Sequence, residues 1–324
     1  MDSIEPARGD DGLLPELRDF RVVQILGRSP KGITYKARRL VEQDVVALKI
    51  FKPSLCERKF ITELSKRAES SFVLEHKSLA RCLGCVQHGA AVMLISELAP
   101  GQSAAELLRF KKALPLPRAL RVILQCANGL RFAKSHKLFH GRLHPGDIII
   151  GEDEARVVGV GLGERPEHAA WSTKDAYLFE PLVYAAPEAM PSGKIPETSE
   201  GRAAADIYSL GAILFHLVTG TSPFCGGDEA ALESERRRLK SPVQWPDEKT
   251  AALPKELIEL VEKAMSPEPR LRRDYDRLIT QLTQVVAAAE KSETAAADCE
   301  KTLEIPLASE TRSGSKAGIF EPVS

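Results

Sequence analysis

The 324-residue sequence carries no excess of charge of either sign, because 45 Lys and Arg balance 45 Asp and Glu. Such a chain lacks the basic field that draws polyanions to a protein surface, so general nucleic-acid binding has no basis. No apolar run approaches the roughly 20 residues that cross a bilayer, and no membrane partner is expected. The opening residues, M-D-S-I-E-P-A-R-G-D-D, lack the basic-then-apolar layout of a secretory signal. A cytoplasmic location is the expectation. Nor is there a disulfide framework, since Cys56, Cys82, Cys85, Cys126, Cys225 and Cys299 are scattered. Cys82-Leu-Gly-Cys85 is a single C-x-x-C, whereas a structural zinc needs four ligands. No structural metal is expected, and the thiols read as small buried hydrophobes. No internal repeat is visible.

What is present is a chain long enough for one large or two small domains. Residues 1–17, rich in Asp, Gly and Pro, read as a loose leader. A strand-like run from Phe20 enters the turn Gly27-Arg-Ser29-Pro-Lys-Gly32, followed by a run from Ile33 to Ala37 and another from Val45 to Phe51. Lys49 lies inside this last apolar run, which is costly unless its ammonium is paired or faces a ligand. Residues Glu57 to Glu75 are compatible with a helix, and Val92 to Gly101 reads as a buried strand running into a linker. Leu120, Ile123, Leu124, Ala127 and Leu130 recur at helical spacing, as do Leu278, Leu282, Val285 and Val286 further on. Residues 291–324 are aperiodic and rich in Ser, Thr, Ala and Glu, and read as a disordered tail. Two apolar islands there, beginning at Leu303 and Ile319, read as part of the plain tail, with docking motifs as the alternative.

Several short motifs follow one another in a recognisable order. Leu138–Ile150, L-F-H-G-R-L-H-P-G-D-I-I-I, has the frame H-R-D-L-x-x-x-N between a helix and a short apolar strand. Upstream stand the glycine-containing turn and V-A-L-K ending at Lys49. Downstream come Tyr184-Ala-Ala-Pro-Glu188, then Ala205-Asp206-Ile-Tyr-Ser-Leu-Gly211, then Thr219-Gly220-x-x-Pro223-Phe224, then Ser266-Pro-Glu-Pro-Arg270. Across residues 20–290 the chain resembles the protein kinase superfamily, and Ser/Thr kinases in particular. The resemblance implies an α+β, two-lobed kinase-like fold over residues 18–290, with a small β-rich lobe (18–98) and a larger helical lobe (99–290). It implies a nucleotide cleft formed by Leu26, Gly27, Ser29, Gly32, Thr34, Ala47, Lys49 and Ile149. Ser96 would be a small gatekeeper with space behind it, and the backbone near Glu97 and Ala99 would face adenine. Lys49 would pair with Glu63 or, as an alternative, Glu69. His140, Asp206, Glu188 and Arg270 would be structural, with Glu188 and Arg270 forming a buried ion pair.

The chemistry-bearing positions depart from the family pattern. Gly141 replaces the loop's Arg, Arg142 its base Asp, His144 its Lys and Asp147 its Asn, while Gly159 and Val160 replace the metal-binding Asp and the Phe of D-F-G. Arg142 cannot accept a proton, and Gly159 has no side chain to ligate Mg²⁺. Asp147 remains a weak candidate metal ligand. The resemblance therefore implies a pseudokinase, a regulatory or scaffolding module for protein partners such as an active kinase. ATP, with or without Mg²⁺, is its expected ligand. The alternative is weak phosphotransfer or nucleotidyl transfer using Lys49, Asp147 and a relocated acid such as Glu152 or Asp153. A third reading is a sensor of another small molecule in the same cleft. Ser172 and Thr173 are phosphorylatable, but Gly141 cannot clamp the product. Arg236-Arg-Arg238 marks a basic stretch near a helix that kinases use for partners.

Overall fold

The computed structural model describes residues 17–303, apart from 18, 30, 90, 111–112, 163–178, 191–192, 226–227, 239–240, 247–252 and 273. The leader, Ser172, Thr173 and the apolar stretches beyond Leu303 lie outside the described residues.

The first lobe is a five-stranded antiparallel sheet in the order β1-β2-β3-β5-β4. Its strands are β1 (Phe20–Ser29), β2 (Gly32–Arg39), β3 (Val45–Phe51), β4 (Cys82–His88) and β5 (Ala91–Glu97). Alternation along the strands divides the side chains between two faces. Ile33, Tyr35 and Ala37 of β2 pack with Val46, Leu48 and Ile50 of β3 and with Met93 and Ile95 of β5. The opposite face carries Phe51, Val92 and Leu94 at one end. Helix α1 (Arg58–Ser71) covers that end through Leu64 and Ala68, with Phe60 packed against the same cluster. This i, i+4, i+8 spacing is one stripe of a helix. The remainder of the face carries Thr34, Ala47, Lys49 and Ser96, all partly buried. Pairing puts Thr34 beside Lys49 and Ala47 beside Ser96.

The second lobe is helical around one apolar core. Its elements are α2 (Ala104–Arg109), α3 (Leu116–Ser135), α4 (Phe179–Tyr184), α5 (Ser199–Thr219), α6 (Glu229–Arg238), α7 (Lys255–Ala264) and α8 (Tyr275–Leu303). A small sheet of β6 (Gln102–Ser103), β7 (Ile148–Ile150) and β8 (Ala155–Val157) faces the first lobe. Ile148 and Ile150 are buried in the helical core, and Ile149 between them is only partly buried. The lobes are joined by backbone as well as by the linker after β5. Ala80 donates to the Val157 carbonyl (2.9 Å), and Val157 donates to Ser78 (2.9 Å).

Helix α8 runs through Leu303, so the chain is helical past 290, where the sequence reading began a disordered tail. Ala, Glu and Lys make up seven of the thirteen residues 291–303, and these residue types favour helix without needing an apolar stripe. The absence of periodicity was therefore a poor signal of disorder there.

Candidate functional site

The loop Leu138–Asp147 lies between α3 and β7 and is fixed from below by a buried carboxylate. Asp206, 1% exposed on α5, accepts the backbone N–H of His140 at 2.9 Å and of Gly141 at 2.7 Å. Burial pushes the Asp206 carboxyl upward, while His140 and the two N–H groups pull it down. The Arg142 N–H donates to His140 Nδ1 (3.3 Å), which leaves the ring proton on Nε2. Nε2 then donates to the Val158 carbonyl (3.1 Å). His140 thus ties the loop to the segment after β8, where Gly159 stands.

Asp147 closes the other end of the loop. It caps the single turn Pro145–Asp147 by accepting the His144 N–H at Oδ2 (3.2 Å). His144 Nδ1 accepts from the Gly146 N–H (3.0 Å), so its Nε2–H points at the same oxygen, 3.3 Å away. His140 Nε2 is 3.5 Å from it. Asp147 Oδ2 therefore accepts the His144 backbone N–H with the His144 ring beside it, while the His140 Nε2–H is given to Val158.

Lys49 projects from β3 toward this loop. Burial pushes its ammonium pKa down, the Asp147 carboxylate pulls it up, and the Arg142 guanidinium pushes it down again. The nearest aromatic ring is that of Phe51, at 5.6 Å. Lys49 makes no ion pair among the described residues, and neither Glu63 nor Glu69 reaches it. Glu63 is 45% exposed and lies beside Arg67 (3.9 Å), and Glu69 is exposed. The reason is helical phase. Leu64 and Ala68 point at the sheet, and Glu63, one residue or about 100° away, turns to solvent.

On the sheet face, pairing sets Thr34 beside Lys49 and Ala47 beside Ser96, and Leu26 on β1 and Ile149 on β7 are each partly buried. Strands β1 and β2 pair as far as Ser29 opposite Gly32, and the Ser29 hydroxyl donates to the Gly32 carbonyl (3.1 Å). Gly32 is required by packing, because a Cβ there would lie 2.0 Å from the Ile50 carbonyl oxygen. Gly27 is exposed, with open space where its Cβ would be. Behind Ser96 lies a small recess of about 20 Å³. Ser71, Cys82, Ser96 and Gly159 line it, all small side chains or none, together with Leu94 and Leu162. Ser71 and Cys82 among its lining residues were not singled out from the sequence.

The linker residues Glu97 and Ala99 are partly buried. The Glu97 carboxylate is engaged at the junction of the lobes. It lies 3.2 Å from Arg81 Nε and 3.9 Å from Arg156 Nη1, and accepts the Arg81 N–H at 3.3 Å. Nothing in the linear sequence marks Arg81 or Arg156 as its partners, since 16 and 59 residues respectively separate them from it.

The metal expected of the family does not suit these residues. Gly159 offers no donor, and the described residues contain no group of three His, Cys, Asp or Glu that could hold an ion. Asp147 Oδ2 is already taken by the loop's own N–H groups. The proposed substitutes Glu152 and Asp153 are exposed on the β7–β8 turn. Strand β7 separates them from Asp147, which at about 3.3 Å per residue is roughly 10 Å. The Asp153 carbonyl there accepts from Gln125 of α3 (2.9 Å).

The lobe's buried ion pair exists, with a different arginine. Glu188 pairs with Arg272, whereas Arg270 is exposed. Arg272 uses its whole guanidinium. Nη1 donates to Glu188 Oε1 and to Ala204 (3.1 Å), Nη2 to Glu188 Oε2 (2.9 Å) and Pro267 (3.2 Å), and Nε to Ser266 (2.8 Å). The single turn Pro269–Leu271 carries Arg270 outward and returns the chain two residues later. Arg236 also turns inward and is not part of a surface basic patch. Its Nη2 donates to the carbonyls of Leu182 (3.2 Å), Val183 (3.3 Å) and Ala185 (3.0 Å), and its guanidinium lies 4.5 Å from the Phe224 ring centre.

The same segment is held by Tyr184, whose hydroxyl shares a hydrogen bond with His216 Nδ1 at 2.7 Å. Burial holds the His216 pKa down to about 4. An unfolded His titrates near 6.5, so between pH 6.5 and about 4 the unfolded chain binds the extra proton. The stability from neutral His216 is complete above pH 6.5 and falls as pH drops through that window. We expect His216→Gln to flatten this acid slope by about 1–2 kcal/mol, after allowance for partial solvent screening. Urea midpoints measured from pH 7 to 4 on both proteins check it, and parallel slopes would refute it.

Comparison with known proteins agrees with this architecture. Residues 20–284 match the family model described as "Protein kinase domain". The chain is 28% identical over 236 residues to the serine/threonine-protein kinase TIO of Arabidopsis thaliana, covering 72% of this chain and 17% of that protein. It is 29% identical over 213 residues to an Aurora kinase of Dictyostelium discoideum, covering 65% and 53%. It is 25% identical over 259 residues to the serine/threonine-protein kinase PknJ of Mycobacterium tuberculosis, covering 78% and 43%. The chain thus spans from about a sixth to about half of these relatives' lengths. With the two-lobed fold, the loop braced by Asp206 and the Glu188–Arg272 pair on the page, the chain belongs to the protein kinase domain family.

Proposed function

We propose that this kinase domain is a pseudokinase, a regulatory or scaffolding module that works through protein partners and does not transfer phosphate. The observation that carries the reading is the contrast within one loop. The contacts that shape it, from Asp206 to His140 and Gly141, are complete. The positions from which the family's chemistry would act hold Arg142 and Gly159. A guanidinium stays protonated in a protein and cannot serve as base. Loss of a general base alone costs roughly 10²–10⁴ in rate, and loss of a metal ligand adds to it. The competing phosphotransferase reading needs a relocated acid, and Glu152 and Asp153 face solvent at the far end of β7.

The test is ATP hydrolysis by the purified chain in Mg²⁺ and in Mn²⁺, beside Lys49→Ala. We expect both proteins to release phosphate at the same background rate. Turnover that disappears with Lys49→Ala would establish a working site and reject the proposal. Partners are proteins on this reading, and an active kinase is the partner class that suits a domain keeping the kinase shape.

A further inference from the structure

One face of the first sheet carries more positive charge than its own acids neutralise. Residues directly opposite across a ladder, and residues two apart on one strand, share a face. Arg21 of β1 stands opposite Arg38 of β2, and Gln24 opposite Lys36. Lys36 in turn stands opposite Ala47 of β3. Arg21, Arg38 and Lys36 therefore form a strip on the face that carries Thr34, Ala47 and Lys49, at the end of the sheet where β1 begins. Arg21 and Arg38 are exposed and Lys36 is partly buried. None of the three makes an ion pair among the described residues. The acids of the β2–β3 turn, Asp44 and Glu42, both go to Arg39 (2.6 and 3.1 Å), which points to the opposite face. Asp19 is exposed and joins no ion pair either. Like charges directly opposite on a sheet repel, so the Arg21–Arg38 pair is a place for an anion from outside the sheet.

The sequence just before β1 has that chemistry. Residues 1–16 hold Asp2, Glu5, Asp10, Asp11 and Glu16 against Arg8 alone, with Leu13 and Leu14 between the acids. They join the sheet at Leu17, which packs on its core and whose carbonyl accepts the Phe20 N–H (3.3 Å). The Asp19 carbonyl accepts the Leu40 N–H (2.9 Å), so this entry lies beside the β2–β3 turn and next to Arg21 and Arg38. The same turn exposes Leu40 (42%) and Val41 (80%). From Leu17 back to Asp11 the extended chain reaches about 20 Å, whereas Arg38 and Lys36 are separated by about 7 Å.

We infer that residues 2–16 dock on this strip of their own chain, with the acids on Arg21, Arg38 and Lys36, and with Leu13 and Leu14 over Leu40 and Val41. Exposed ion pairs are individually weak. A segment tethered at Leu17 meets the strip at an effective concentration in the millimolar range. A second copy or a separate acidic protein lacks that advantage, which is why the leader is the occupant. Docked, it lays carboxylates along the face that leads to Lys49 and shields the strip from other acidic proteins. The inference does not depend on whether the domain transfers phosphate.

The test is zero-length carbodiimide cross-linking of the full chain, which joins a carboxylate to a lysine amine where the two touch. Mass spectrometry of the monomer band reads the products. The expected result is a cross-link from Lys36 to Asp10, Asp11 or Glu16 at low salt, lost in about 1 M NaCl, where the Debye length falls to about 3 Å. Arg21→Gln/Arg38→Gln should lower its yield several-fold without lowering the melting temperature, because it removes a repelling pair. That variant keeps the amine and every carboxylate, so a fall in yield reports lost attraction. Cross-links to Lys36 no more abundant than those to exposed Lys52 and Lys66 would show tethering alone and overturn the inference. A yield indifferent to salt and to both substitutions would overturn it as well. Products joining a ¹⁵N-labelled chain to an unlabelled one would assign the strip to a second copy. No leader cross-link at all would leave the strip to a separate acidic partner. Either result overturns docking within one chain.

Discussion

Arg272→Ala is expected to destabilise the chain by about 3–5 kcal/mol, the range for breaking a buried ion pair by removing one member. Arg270→Ala, two residues away, should change stability by less than about 0.5 kcal/mol, as exposed substitutions do. The contrast follows from what each side chain touches. Arg272 has no exposed side-chain surface, and its five N–H groups find a Glu188 carboxylate and three carbonyls. Its removal leaves Glu188 charged and largely buried without its partner. Arg272→Lys should recover only part of the loss, because an ammonium cannot reproduce the planar fork. Denaturant unfolding of the three variants checks this. Equal effects at 270 and 272 would contradict the assignment.

Asp206→Ala should be nearly as costly, by about 2–5 kcal/mol. It strands the N–H groups of His140 and Gly141, and each unsatisfied buried donor costs about 1–3 kcal/mol. Asp206→Asn should lie between, since the amide oxygen can satisfy one donor while its NH₂ opposes the other. The loss should also be local. Amide exchange at residues 140–147 should quicken before exchange in α3. Stability and exchange that match the wild type would remove Asp206 from its place as the brace of the loop.

Much of this was legible in the linear order of residues. The alternation Ile33, Tyr35, Ala37 against Val46, Leu48, Ile50 fixes which face of the sheet is core, and it leaves Lys49 on the other face. The frame from His140 to Asp147 locates the loop. Helix phase and turn geometry were harder to read. Glu63 matches a short spacing pattern, yet the stripe of Leu64 and Ala68 decides the orientation of α1 and sends Glu63 to Arg67. Arg270 matches another pattern, but the turn begun by Pro269 shifts the buried arginine to 272. The partners of Glu97 and Arg236 come from distant segments, and no local pattern announces them.

The central claim is that this domain keeps the kinase scaffold while residues 142 and 159 have removed its chemistry. The most direct measurement is transfer of radiolabelled γ-phosphate from ATP to a general protein substrate in Mg²⁺, comparing wild type, Lys49→Ala and Arg142→Asp/Gly159→Asp. The account predicts wild-type transfer indistinguishable from Lys49→Ala, with any transfer confined to the doubly substituted protein. Wild-type transfer above that of Lys49→Ala would contradict it.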